Sequence, residues 1–273
     1  MSFPVYFHFG PLTVHPHLLF EAIAYSVGFR LYLALRKSRG DSLEDSHRWW
    51  IVAAATSGAL VGALLLADLE NLPQLLHNWD SLRSPFAGKT IVGALIGGFA
   101  AVECAKRSLG IRRRTGDLFA LPLCIGIAIG RVGCFLTGLE DHTAGTFTAL
   151  PWGVNFGDGI RRHPTQLYEI LFLVFLAILI ARVSRRSFVH GDLFRLFLVG
   201  YLSFRFLVDF LKPDPAVLFG LSAIQIACLL TLIFCSRDIP RLVHELMSRA
   251  TVDAVAPEPP TPLSSRTSQD FVP

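Results

Sequence analysis

Tyr201, Arg205 and Asp209 are polar residues spaced by four within an otherwise apolar stretch of the sequence. On a helix this spacing would place them in one polar stripe. Arg205 and Asp209 would then be able to pair, which lowers the cost of burying both charges. A structural ion pair is one interpretation of this stripe, and part of a functional site is the other.

Arg131 is set among glycines, with Gly130 before it and Gly133 and Gly138 after it. Glycines allow a backbone to approach a ligand closely. A guanidinium group is planar and always charged, so it is suited to holding a phosphate. The pattern predicts an anion-binding residue, although an arginine reaching lipid head groups would also fit.

A polar segment from Arg162 to Glu169 opens a later apolar stretch. Pro164 and Thr165 are typical of a helix start. The candidate site residues here are His163, Gln166, Tyr168 and Glu169. Histidine titrates near neutral pH, so His163 is the first candidate for a general base, before Glu169 or Glu21.

Glu21 lies four residues from both His17 and Tyr25, so the three would share a helix face. A carboxylate satisfied by a neighbour at the membrane interface is the alternative interpretation. Gln225 is a weaker candidate, since an amide in an apolar helix often bonds to a neighbouring helix.

The composition places these residues in a membrane protein. Hydrophobic residues make up 52% of the chain and charged residues 17%, against about 25% charged in soluble domains. A charge at the centre of a membrane helix costs about 2.5–3.5 kcal/mol, so such residues are functional candidates by default. Lys and Arg form short clusters between apolar blocks, which does not favour nucleic-acid binding. The five cysteines form no CxxC pair, and we expect no metal and no cofactor.

The apolar blocks predict an all-α integral membrane protein with about seven transmembrane helices. The predicted spans are 18–35, 49–67, 90–106, 117–136, 165–183, 193–211 and 217–235. Residues 36–48 and 107–116 carry four Lys or Arg each, whereas residues 1–17 carry none. The positive-inside rule then places the N-terminus outside and the C-terminus in the cytoplasm.

Three regions follow from this pattern: an extracytoplasmic arm (1–17), a membrane domain (18–249) and a disordered cytoplasmic tail (250–273). Glycine pairs spaced by four predict closely packed helices. These pairs are Gly58 and Gly62, Gly93 and Gly97, and Gly126 and Gly130.

The segments Gly130–Gly138, Arg162–Glu169 and Gly200–Phe210, with Gln225 beyond them, together resemble the prolipoprotein diacylglyceryl transferase family. The resemblance implies a multi-pass enzyme of the bacterial inner membrane that uses phosphatidylglycerol. It would move diacylglycerol to the lipobox cysteine in the signal peptide of a prolipoprotein, with membrane lipids around it. The candidate catalytic residues are then His163, Glu169, Tyr201 and Arg205. The candidate substrate-binding residues are Glu21, Arg131, Gly133, Gly138, Gln166, Tyr168, Asp209 and Gln225.

The chain departs from the family pattern at several positions. Val92 and its neighbours stand where the family has a histidine before two glycines, and Cys134 replaces an asparagine. Leu139 stands at the family's glutamate, with Glu140 one place later, and the arginine of span 2 falls among Ala59–Val61. Two alternatives therefore remain: a divergent member that binds or transfers anionic phospholipid, and an unrelated small-solute carrier.

Overall fold

A computed structural model describes residues 3–41, 43–72, 88–184 and 191–244. Seven α-helices lie wholly in these ranges: α1 Pro16–Arg39, α2 Asp45–Glu70, α3 Ile91–Ser108, α4 Asp117–Thr137, α5 Thr165–Val183, α6 Asp192–Val208 and α7 Ala223–Cys235. Residues 239–244 are also helical. Two short antiparallel hairpins accompany them: β1 Phe7–Phe9 with β2 Leu12–Val14, and β3 Val154–Asn155 with β4 Arg161–Arg162. The predicted tail at 250–273 lies outside the described residues.

Each predicted span corresponds to one helix, and the seventh differs most. It was expected from 217 but begins at Ala223, because Ser222 caps the helix in a reciprocal capping box with Gln225. Among the described residues, four helices are long and apolar enough to cross a membrane: α1, α2, α4 extended to Asp141, and α5. Residues from Arg237 form a second unit, in which Arg241 lies 3.7 Å from Asp238.

Helices α2 and α3 pack backbone to backbone, as their glycine spacing predicted. A Cβ atom added at Gly62 would lie 2.3 Å from the carbonyl oxygen of Gly93, and one at Gly97 would lie 2.3 Å from that of Gly58. The third pair differs, because a Cβ at Gly126 would make an ordinary contact and one at Gly130 would meet nothing within 4 Å. The prediction of close helix packing is therefore wrong for Gly130.

The polar residues of interest meet at one end of the bundle, here called the site end. There α1, α3, α5 and α7 begin, and α2, α4 and α6 finish. Glu70 at the end of α2 accepts a hydrogen bond from the backbone N–H of Ile224 at the start of α7. The N-terminal arm closes over this end, where the Val5 N–H donates to the carbonyl of Leu136.

The opposite end is held by buried ion pairs between its connections. Arg48 is 1% exposed, pairs with Asp41 and donates to the carbonyl oxygen of Thr115. The Arg48 and Arg36 guanidinium groups keep the pKa of Asp41 below its usual value against the effect of burial. Arg114 pairs with buried Asp192 at 3.0 Å, so this end is rigidly connected.

Candidate active site

Glu169, one turn into α5, is the centre of a buried charge cluster. Its Oε2 lies 2.8 Å from Arg131 Nε and 3.4 Å from Arg205 Nη1. Its Oε1 accepts a hydrogen bond of 2.6 Å from the Tyr201 hydroxyl. All four side chains are buried. Two arginines and a hydroxyl donor stabilise the ionised carboxylate, so Glu169 holds the arginines in place and is a poor general base.

The cluster continues along α6 to α7. Arg205 Nη2 donates to Asp209 Oδ1 at 2.8 Å, as the spacing of four predicted. The Ser222 hydroxyl donates to the other Asp209 oxygen at 2.8 Å. The Gln225 side chain caps α7 and lies 3.4 Å from the carbonyl oxygen of Phe206, which fits its interpretation as an inter-helix contact.

Lys212 adds a cation that the sequence analysis did not single out. Its Nζ lies 3.9 Å from Asp209 Oδ1, and its side chain is 7% exposed. Burial, together with the charges of Arg205 and Arg131, lowers the pKa of Lys212 to about 8. The lysine is therefore charged at neutral pH and loses its charge in mildly alkaline solution.

His163 and Tyr168 form a separate group at the site end. The Trp152 indole N–H donates to the Tyr168 hydroxyl at 2.9 Å, and that hydroxyl lies 3.2 Å from His163 Nδ1. Because the Tyr168 hydroxyl accepts a hydrogen bond from Trp152, its proton is available for a hydrogen bond to His163. In that arrangement the lone pair of Nδ1 is occupied. Gln166 donates to Thr143, and no described contact joins Gln166 or His163 to Glu169.

Glu21 and its neighbours line a cleft of about 370 Å³ at the site end. Tyr25 donates to Glu21 at 3.0 Å, and His17 Nε2 lies 3.9 Å from the same carboxylate. The shared helix face predicted from the sequence is therefore confirmed.

Beside the cleft the structure also brings together a group that sequence reasoning missed. His17 Nδ1 lies 2.8 Å from Asp141 Oδ1 and 4.0 Å from Cys134 Sγ. The signal for Cys134 was its position three residues after Arg131, whose Nη1 lies 3.7 Å from the sulfur.

Gly133 and Gly138, predicted to bind substrate, both have packing roles. A Cβ at Gly133 would lie 2.8 Å from Phe20 Cβ and 3.2 Å from the carbonyl oxygen of Pro16. Gly138 has a φ of +75°, and a Cβ there would lie 2.8 Å from Phe3 Cβ. These glycines let α1 and the arm approach α4.

Comparison with known proteins identifies the family of this chain. The family model described as prolipoprotein diacylglyceryl transferase matches residues 4–237. The chain belongs to this family. Relatives named phosphatidylglycerol–prolipoprotein diacylglyceryl transferase include that of Methylococcus capsulatus, 35% identical over 85% of this chain and 92% of the relative. The relative from Campylobacter lari is 30% identical over 83% and 88%, and that from Bordetella parapertussis 31% identical over 81% and 86%.

The positions at which the chain departs from the expected pattern of the transferase family lie in different surroundings. Val92, where the resemblance places a histidine, is 1% exposed and packed in the core. Cys134, in place of an asparagine, is buried beside Arg131 and His17. Two acids follow the glycine-rich segment 130–138. Asp141 contacts His17, and Glu140 lies 3.7 Å from His15.

Proposed function

We propose that this protein transfers the diacylglyceryl group of phosphatidylglycerol to the lipobox cysteine thiol of a prolipoprotein. The observation that carries the proposal is the buried Arg131–Glu169–Arg205 cluster at one end of a bundle of apolar helices. Buried charges in an apolar bundle require a function or a partner. Family membership supplies the reaction class.

The arginines hold the phosphate of the lipid. In the reaction the thiolate sulfur forms a bond to the glyceryl carbon, and the bond from that carbon to the phosphate oxygen breaks. Glycerol phosphate leaves with the electron pair, so negative charge develops on the oxygen that the guanidinium groups face. Arg131, Arg205 and Lys212 supply the positive charge. Asp209 orients Arg205, and Tyr201 orients the Glu169 carboxylate that pairs with both arginines.

A base must remove the thiol proton. His163 is the sequence-based candidate: in the tautomer whose Nδ1 accepts from Tyr168 that nitrogen is occupied, whereas in the tautomer whose Nδ1–H donates to Tyr168 the Nε2 atom is free to take the proton. Ionised Glu169 is held by the arginines. If His163→Ala retains full turnover, His163 is not the base.

The fold fits a multi-pass protein of the bacterial inner membrane. We propose seven spans, with the site end facing outward and the Arg-rich end facing the cytoplasm. Large apolar side chains such as Leu171 and Phe234 are 70% and 72% exposed, as expected for helix faces in contact with lipid. Gln166, Tyr168 and Glu21 line the surroundings of the site and are proposed to contact the substrates.

The test is transfer by the purified protein in detergent. Phosphatidylglycerol and a peptide containing a lipobox cysteine are supplied, and mass spectrometry measures the diacylglyceryl thioether. We expect product from the wild type and a loss of at least about 100-fold in Arg131→Ala and Arg205→Ala, the scale for removing one transition-state donor.

The exchange of the family histidine for Val92 favours one second candidate, a phospholipid-binding protein without transfer activity. Absence of thioether, with phosphatidylglycerol still bound by the wild type and lost in the arginine variants, would establish that second candidate. A wild-type protein that forms no thioether and binds no phosphatidylglycerol would overturn both the transferase and the lipid-binding candidate.

A further inference from the structure

We propose that His17, Cys134 and Asp141 form a binding site for a divalent transition metal of the zinc class. Imidazole, thiolate and carboxylate are the groups that bind zinc in proteins. One ligand atom from each residue lies within 4.8 Å of the other two. Three protein ligands with one open position are typical of a catalytic zinc site.

The distances between the ligand atoms are close to those of a tetrahedral site. Zinc–ligand bonds of about 2.0–2.3 Å imply separations of about 3.6 Å between sulfur and nitrogen and about 3.3 Å between nitrogen and oxygen. The observed separations are 4.0 Å for Cys134 and His17 and 2.8 Å for His17 and Asp141. For these two separations, shifts of about half an ångström would reach the tetrahedral values, and the Cys134 and Asp141 ligand atoms lie within 4.8 Å of each other.

The groups around these ligands match the second layer of a metal site. Metal-bound histidines usually present the other ring nitrogen to a carboxylate. Here Nδ1 of His17 is the ligand atom, and Nε2 faces Glu21 at 3.9 Å, a separation that must shorten to become a hydrogen bond when a metal binds. The Thr143 hydroxyl donates to Asp141 Oδ2 at 2.8 Å, which leaves Oδ1 directed at the ligand group. Arg131 places its Nη1 3.7 Å from the Cys134 sulfur, so a cation lies beside this ligand.

The ligands come from three elements, so no local motif could indicate them. His17 starts α1, Cys134 lies in the last turn of α4, and Asp141 ends the 3-10 helix that follows. The CxxC rule, which led us to expect no metal, tests only ligands that are close in sequence. Gly133 brings α1 onto α4 at this point, where a Cβ would lie 3.3 Å from His17 Cα.

The position of the site suggests its role, which rests on the proposed transfer reaction. The site borders the cleft lined by Glu21, and Arg131 joins it to the phosphate-binding cluster. The acceptor cysteine would occupy the open position as a thiolate after releasing its proton to solvent. Its sulfur would then attack the glyceryl carbon as described above, while the metal remains bound and unchanged.

Metal binding is measured on the full-length protein in detergent, independently of turnover. We expect about one zinc per chain by elemental analysis after dialysis against zinc and then buffer. The cobalt-substituted protein should show the near-ultraviolet absorption of a thiolate–cobalt bond. Cys134→Asn, which introduces the family residue, and His17→Asn should lose both signals, whereas Cys124→Ala on the same helix should keep them.

A second variant keeps the test valid if the ligand variants fail to fold. Glu21→Gln leaves all three ligands in place and should weaken zinc affinity about 10- to 100-fold, measured by competition with a zinc-sensitive dye. A folded wild type that takes up no zinc and shows no cobalt–thiolate absorption overturns the site.

Turnover with and without chelator separates this proposal from the transfer reaction. Transfer that persists after complete metal removal overturns the metal's role in thiol activation and leaves the transferase intact. Stoichiometric zinc bound through Cys134, with no thioether formed, supports the metal site and overturns the transferase.

Discussion

Glu169 is the residue that allows two arginines to be buried side by side. Its carboxylate contacts Arg131 and Arg205, and Tyr201 fixes its orientation. Removing one partner of a buried ion pair leaves an uncompensated charge, which costs about 3–5 kcal/mol. Removing a hydrogen bond to a charged group costs less, about 1.5–3 kcal/mol.

These magnitudes predict an order of stability for two conservative variants. Glu169→Gln should lower the melting temperature in detergent strongly, because two arginines lose their counter-charge. Tyr201→Phe should lower it less, because both ion pairs remain. Equal melting temperatures for the two variants would contradict the ionised state of Glu169.

Lys212 predicts a pH dependence of lipid binding. Its pKa of about 8 means that the charge attracting a phosphate is present at lower pH and lost as pH rises through that value. The affinity for phosphatidylglycerol should therefore fall between about pH 7 and 9. Lys212→Arg should shift the fall to higher pH, because arginine stays charged. Equilibrium binding of a fluorescent phosphatidylglycerol measures both, and identical profiles would exclude Lys212 as the titrating group.

The sequence predicted the parts of the site that depend on spacing within one helix. Arg205 with Asp209, and Glu21 with Tyr25, are pairs of this kind. The contact of Arg131 with Glu169 joins α4 to α5, and that of His17 with Asp141 joins α1 to the end of α4. Such contacts follow from helix packing, which no local pattern specifies.

At the scale of elements, the end of α4 positions both the charge cluster around Glu169 and the group around His17. The last two turns of α4 carry Arg131 toward α5 and Cys134 toward α1. Gly133 between them has no side chain, and this allows α1 to lie close. Gly130, on the open side of α4, has no such contact.

Two alanine variants of α4 therefore have opposite expected effects. Gly133→Ala should destabilise the protein by about 1–3 kcal/mol through overpacking against Phe20 and Pro16. Gly130→Ala should be neutral or slightly stabilising, since alanine is favoured over glycine within a helix. Thermal melting of both variants in one detergent provides the comparison, and a destabilised Gly130→Ala would show that packing at α1 is not the cause.

The helix positions themselves were largely predictable, because long apolar blocks have one physical solution in a bilayer. The start of α7 was not, since residues 217–222 are apolar enough to extend the span. Ser222 ends the preceding turn and caps the helix, and its hydroxyl also holds Asp209. Because Ser222 caps α7 and also bonds Asp209 at the end of α6, its role depends on tertiary structure and is not visible in the local sequence.

At the scale of the whole molecule, the two ends of the bundle differ in charge and in construction. The site end is covered by the N-terminal arm and the 142–164 connection, where the Thr146 N–H donates to the carbonyl of Leu211. The opposite end carries the Arg-rich connections tied by Asp41 and Asp192.

Cysteine reporters test the orientation of these ends. In a Cys104→Ala background, which removes the exposed native cysteine, exposed Ala149 and Ser108 are each replaced by cysteine. A membrane-impermeant thiol reagent applied to intact cells with a permeabilised outer membrane should label Ala149→Cys and spare Ser108→Cys. Labelling of Ser108→Cys alone would reverse the proposed orientation.

The contact of Arg131 and Arg205 with Glu169 has a consequence for the catalytic cycle. The cluster contains an anion of its own, so a phosphate that binds there as proposed would not enter an uncompensated positive site but would displace part of an existing pairing. Binding is then an exchange of counter-ions, with little change in the net charge that the surrounding bilayer must tolerate. The same carboxylate can reclaim the guanidinium groups when glycerol phosphate departs, so tight capture of the lipid need not slow release of the product.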